Sequence, residues 1–159
     1  MSDIITAAGS AIAIGDALPA TYDASGYGAV TWEDVGEVTS LPAFGKTFQI
    51  NTVNTLGARQ TRKRKGTWDP GDLMIGILVV HEDDGQIDML AALESDNPLP
   101  FRVTLNDATA TLTVPTKYYF CGLVYQAPIN PGSDPNGFVT AEFGLSIDTA
   151  IVKVARAAP

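Results

Sequence analysis

Five cations, Arg59, Arg62, Lys63, Arg64 and Lys65, fall within seven positions of the stretch ARQTRKRKG (58–66), and they are half of the ten Lys and Arg in the chain. Cations at this density can hold phosphates, an anionic lipid surface or an acidic protein surface. In a strand, Arg62 and Arg64 project to one side and Lys63 and Lys65 to the other, so neither face suits an apolar core. A nucleic-acid site asks for stacking aromatics or a helix that carries the cations into a groove, and only Trp68 is near in sequence. A membrane site asks for an apolar face alongside the charges, and none accompanies them. The formal net charge of the chain is -8, so a second copy offers carboxylates in excess. The run is expected to protrude and meet another subunit, with a solvated loop and a nucleic-acid contact as the alternatives.

Two further groups invite chemistry. His81 with Glu82, Asp83, Asp84 and Asp88 supplies hard oxygen ligands of the kind that hold Ca²⁺ or Mg²⁺. Yet the group stands where a strand gives way to a helix, and carboxylates there cap the helix and complement its dipole. Neither H-E-x-x-H nor the EF-hand spacing is present. Cys121 lies in the aromatic stretch YYFCGLVY, where a lone cysteine acts as a small buried hydrophobe. A nucleophilic pair with His81 would need the fold to unite them. With one cysteine there is no intrachain disulfide or cysteine-based zinc site. G-x-S-x-G and Walker sequences are absent too, so neither enzyme chemistry nor a cofactor is expected.

The elements that position these groups read as mainly β. The chain has 159 residues, one domain's worth, and 45% are apolar. Val, Ile and Thr recur in short runs between Gly, Pro, Asn and Asp. Residues 1–28 read as an N-terminal arm with a strand around Ile12–Ile14. KTFQINTV (46–53) reads as a strand with one apolar face, and DPG at 69–71 as a turn. LMIGILVV (73–80) is apolar on both faces, which predicts cover on both sides. DDGQIDMLAALES (83–95) predicts a helix capped by Asp83 or Asp84, with Gln86, Leu90 and Leu93 at spacings of four and three and Ile87 and Met89 beside them. FRVTL (101–105) and ATATLTV (108–114) predict a hairpin turning at Asn106-Asp107. KYYFCGLVYQ (117–126) and FVTAEFGLSIDT (138–149) are further strands, the last with Val139, Ala141, Phe143, Leu145 and Ile147 on one face. The expectation is one helix and about seven strands. The N-terminus lacks the positive start of a secretory signal, and the longest apolar stretch falls well short of the roughly 20 residues of a spanning helix, so a soluble chain that binds no membrane is expected.

Residues 18–78 resemble the tail tube proteins of non-contractile-tailed bacteriophages and of gene transfer agents. The resemblance rests on LPATYD, WEDVGEV, PAFGK, NTLGARQTRKRKG and DPGDL, with FRVTLND a weaker echo. It implies a β-sandwich-like or barrel-like subunit with one flanking helix, whose strands join a continuous barrel when six copies close into a ring. Stacked rings would surround a tape measure protein, end at tail terminator and distal tail proteins, and conduct genomic DNA without binding it specifically. The particle would be a virion tail assembled in the bacterial host cytoplasm. An inter-ring loop is expected at 51–66 within a β domain of 29–150, followed by a C-terminal segment of 151–159 and no immunoglobulin-like decoration. The interface would involve Asn54, Leu56, Arg59, Arg62, Lys63, Arg64 and Lys65. An Hcp-type secretion tube and a small nucleic-acid-binding β-barrel are the competing readings.

Overall fold

The computed structural model describes residues 4–132 and 134–159. The first three residues of the expected arm, and Ser133 in the turn-rich loop after residue 126, lie outside them. The described elements are β1 (Ala11–Gly15), α1 (Ala24–Gly28), β2 (Trp32–Asp34), β3 (Val38–Ser40), β4 (Thr47–Val53), β5 (Arg62–Asp69), β6 (Asp72–Leu78), α2 (Asp84–Leu93), β7 (Leu99–Thr104), β8 (Lys117–Gln126), β9 (Ile129–Asn130), β10 (Thr140–Ile147) and β11 (Val152–Val154). Nine strands form one antiparallel sheet in the order β2-β1-β7-β8-β10-β6-β3, with β11 beside β8 and β9 beside β10. Strands β4 and β5 pair only with each other.

Strand β8 joins the two halves of the sheet. One edge pairs with β7 from Lys117 to Gly122. Along the other edge, β11 takes Lys117 to Tyr119 and β10 takes Gly122 to Gln126. At the handover the Cys121 carbonyl accepts from the Asp148 and Thr149 amides, and the Cys121 amide donates to Thr149 Oγ1 at 2.8 Å. A Cβ on Gly122 would stand 2.5 Å from the Ser146 carbonyl oxygen, so only glycine lets the strands approach this closely. The halves fold over a shared core in which Ile12, Phe101 and Phe120 pack with Leu73, Ile75, Phe143 and Leu145. On the other face of β8, Tyr119 and Cys121 pack with Tyr27 of α1; the Tyr27 and Tyr119 rings stack at 5.2 Å.

Helix α2 covers the core with Met89 and Ala92. Asp83 is its N-cap, accepting from the Gln86 amide at 2.8 Å and from the Gly36 amide at 3.2 Å. Gln86 is buried because its side chain completes three backbone groups. Its Oε1 accepts from the Val80 amide, and its Nε2 donates to the Leu78 and Gly36 carbonyls. That demand turns the helix so that Ile87 and Leu90 face outward, 47% and 51% exposed, against the buried face expected for Leu90.

Other expectations need correction. The expected strand at 108–114 is absent: residues 105–116 form an irregular excursion with one bridge, Val114 to Ala157. Both edges of β7 are already taken, by β1 and β8, so no hairpin partner can pair there. Asp107 does not turn a hairpin but accepts from the Thr116 amide at 2.7 Å and from the Thr116 hydroxyl. β6 is covered on one side only: Leu73, Ile75 and Ile77 are buried, while Met74, Gly76 and Leu78 are half-buried on the opposite face. The strand expected around Ile12–Ile14 is present as β1, and it is an interior strand, flanked by β2 and β7. The described residues also form α1, which was not expected, and eleven strands in place of about seven. Helix α2 and strands β7, β8 and β10 lie where expected.

Two outcomes follow from these bonds. Replacing Gln86 with Leu keeps the bulk but strands three backbone groups, so urea unfolding should show a loss of about 2–4 kcal/mol, each unmet buried group costing about 1–3; a loss below about 0.5 would mean that water replaces the amide. The two Thr116 bonds hold the Asp107 carboxyl below its ordinary value of 3.8. A carboxylate with a depressed folded pKa contributes stability above its unfolded pKa and loses it as pH falls through the folded one. Asp107→Asn should therefore lower the urea midpoint at pH 7, and the gap to wild type should close at strongly acidic pH. A gap that persists there would place the effect outside the ionised carboxylate.

Candidate assembly interface

The β4–β5 hairpin stands apart from the sheet, and its geometry follows from its register. Val53 faces Arg62, Thr52 faces Lys63, Asn51 faces Arg64 and Ile50 faces Lys65, whereas Phe48 faces Trp68. The three-residue step from Lys65 to Trp68, against two from Ile50 to Phe48, is a bulge at Gly66–Thr67. It returns Trp68 to the face of Lys65. One face therefore carries Phe48, Ile50, Thr52, Lys63, Lys65 and Trp68, and the other Asn51, Val53, Arg62 and Arg64. The two-sided charge read from the sequence is present on the strand.

Among the described residues no layer covers either face beyond the base of the hairpin, where Trp68 shares a pocket with Phe44, Tyr118 and Ile151. All four cations of β5 are exposed, Ile50 and Val53 are 54% and 55% exposed, and Leu56 at the tip is fully so. Asn54, Leu56 and Arg59 lie in the exposed tip between the strands, and Arg62, Lys63, Arg64 and Lys65 lie on β5. Among the described residues the one ion pair joins Arg102 to Asp34, so no hairpin cation is paired with a carboxylate. At the base, Lys46 Nζ sits 4.2 Å from the Trp68 ring centroid and 4.9 Å from that of Phe48, and Lys65 Nζ is 4.9 Å from Phe48. These cation–π contacts bind the ends of the hairpin together. They also place cations over the rings that a base would stack on. Lys46 and Phe48 were missed as partners of Trp68, because the bulge that sets Trp68 opposite Phe48 leaves no mark in the local pattern.

The other candidate groups are dispersed. Cys121 is buried with its sulfur 3.4 Å from the Tyr27 hydroxyl, and burial pushes its thiol pKa up, away from the thiolate a nucleophile needs. His81 is exposed on the turn between β6 and α2, and no hydrogen bond joins it to Cys121. Asp83 is occupied with the Gly36 and Gln86 amides, while Glu82, Asp84 and Asp88 are exposed around the helix start.

No protein-family model and no curated protein matches the sequence. Solved structures match over nearly its full length. A chain of the anti-feeding prophage (AFP) baseplate, 6-fold symmetrised, shares 11% identity at a TM-score of 0.70, covering 98% of this chain and 98% of that one. The SPP1 tail tube shares 10% at 0.69, covering 97% of this chain and 81% of that one. The sheath-tube complex of PVC, an extracellular contractile injection system, gives 11% at 0.67, covering 96% and 92%. At such identities the backbone plan is what is shared, and by that plan the chain has a phage-tail-tube-like fold.

Proposed function

We propose that this chain is the tube subunit of a phage-like tail, of a bacteriophage or a gene transfer agent, closing into hexameric rings that stack around a tape measure protein. The observation that carries the reading is the detached β4–β5 hairpin, exposed on both faces and charged on both, in a chain of tail-tube-like fold. Such a ribbon is marginal alone and gains its partners in an assembly. The sheet also ends in the short strands β2 and β3, whose outer edges have no strand beside them among the described residues. Edge-to-edge addition of copies would satisfy them. The 6-fold symmetry of the AFP assembly supports a ring of six.

The open face of β6 and β10 suits the wall of a channel. It carries Asp72, Met74, Gly76, Leu78, Thr140, Glu142, Gly144 and Ser146, of which Asp72 and Glu142 are exposed while the Tyr125 and Gln126 side chains lie over Gly144 and Met74, and neither strand contains a Lys or Arg. Facing a lumen, such a surface lets a polyanion slide without retaining it. DNA would then cross the tube while the basic hairpin engages protein. Tail terminator and distal tail proteins would close the ends of a tail built in the host cytoplasm.

Purified protein at high concentration should form tubes visible by negative-stain microscopy. The Arg62→Glu/Arg64→Glu variant should not, although its urea-unfolding free energy stays within about 0.5 kcal/mol of wild type, as is usual for exposed sites. Tubes of normal length from that variant would remove the hairpin from ring stacking. Wild-type protein that stays monomeric and binds labelled DNA tightly, losing it on the same substitutions, would replace the tube with a nucleic-acid-binding barrel.

A further inference from the structure

Charge is segregated along this chain. From residue 38 to 68 there are six Lys and Arg and no Asp or Glu; from 66 to 101 there are eight Asp and Glu and no Lys or Arg. Among the described residues no ion pair joins the two sets. Six of the eight acids, Glu82, Asp83, Asp84, Asp88, Glu94 and Asp96, gather on and around α2. At 100° per residue the exposed face of that helix runs from Leu90 through Glu94 and Ile87 to Asp84, with Asp88 at the edge away from Leu90. Next to Ile87 and Leu90 lies an apolar groove of about 130 Å³, bounded also by Val80, Ala127 and Ile129. It is smaller than the roughly 300–1,000 Å³ of small-molecule sites, and its size suits one or two apolar side chains.

The occupant this surface asks for is apolar at its tip, basic along its flank and free of carboxylates. A nucleic acid or an anionic membrane would be repelled by the acids. The β4–β5 hairpin meets every requirement: Leu56 and Val53 are exposed at and beside its tip, and Arg62, Lys63, Arg64 and Lys65 follow on β5. Within one subunit the hairpin is apart from the sheet and the groove is open, so the two fit only between copies. We propose that the α2 groove is the receptor for the hairpin of a second copy of this chain. Leu56 and Val53 enter between Ile87, Leu90 and Ile129, while the β5 cations meet Asp84, Asp88 and Glu94. This rests on the tube reading above and assigns the ring-to-ring hairpin its docking surface.

A complementation experiment with the full-length chain tests it. One variant carries Arg62→Glu and Arg64→Glu; the other carries Asp88→Lys and Glu94→Lys, which spare the N-cap Asp83 and the first helical turn. Each should keep the wild-type urea midpoint and fail to form tubes alone. Mixed in equal amounts they should form tubes, because the face of Val53 and positions 62 and 64 on every hairpin then finds a groove of opposite sign. Tubes from the helix variant alone, or none from two folded variants mixed, would overturn the proposal. Wild-type tubes in the same series would leave the tube reading standing, and their absence would remove that reading itself. If Lys on the helix lowers the midpoint, the neutral pair Asp88→Asn and Glu94→Gln serves in its place. It should raise the concentration needed for tubes about tenfold, and an unchanged concentration would overturn the proposal.

Discussion

The architecture depends on the handover along one edge of β8, where β11 stops and β10 begins. A strand whose edge passes from one partner to another gives the twisted sheet a place to turn. The turn brings the inward residues of β1 and β7 over those of β6 and β10, and this closes the shared core around Phe101, Phe120 and Phe143. Each of those rings stabilises the fold by about 2–3 kcal/mol relative to exposure. The same point recruits the opposite face, because Cys121 accepts from two amides of the β10–β11 connection while its side chain packs on Tyr27. Core, second cluster and C-terminal strand are thereby coupled through Cys121 and Gly122.

Much of this was legible where a signal is local. The alternation of β10 named its buried face from Ala141 to Ile147, and Asp83 followed by a helical stretch marked the start of α2. What was illegible depends on distant partners. Nothing in ATATLTV reveals that both edges of β7 are already paired, so a well-patterned strand remained unpaired. Nothing in Gln86 reveals three unmet backbone groups on Gly36, Leu78 and Val80, so the helix faced other than its Leu spacing implied. For the candidate interface the charges themselves were readable, since four consecutive cations on a strand exclude a core. The Lys46–Trp68–Phe48 contacts were not, because they depend on the bulge at Gly66–Thr67.

The hairpin is also the element least supported by its own subunit. It adds no side chain to either buried cluster, and its stability rests on one ladder of hydrogen bonds and the cation–π contacts at its base. Regions of that kind open at low free-energy cost. Ordering such a ribbon on docking carries an entropic penalty, which the contact must exceed through apolar burial at the tip as well as charge.

Charge segregation bears on the symmetry of any self-association. An isologous pair that met through its hairpins would set Arg62–Lys65 against the same residues of its partner, and one that met through α2 would set carboxylates against carboxylates. Both are repulsive, by several kcal/mol for directly opposed charges in a desolvated contact. A contact between unlike surfaces joins the basic set to the acidic one and leaves one of each exposed, ready for the next copy. Head-to-tail contacts of this sort propagate rather than close at two subunits. The net charge of -8 does not oppose them, because attraction between facing patches acts within about a Debye length, roughly 8 Å at physiological salt, while the surplus charge is spread over the rest of the surface.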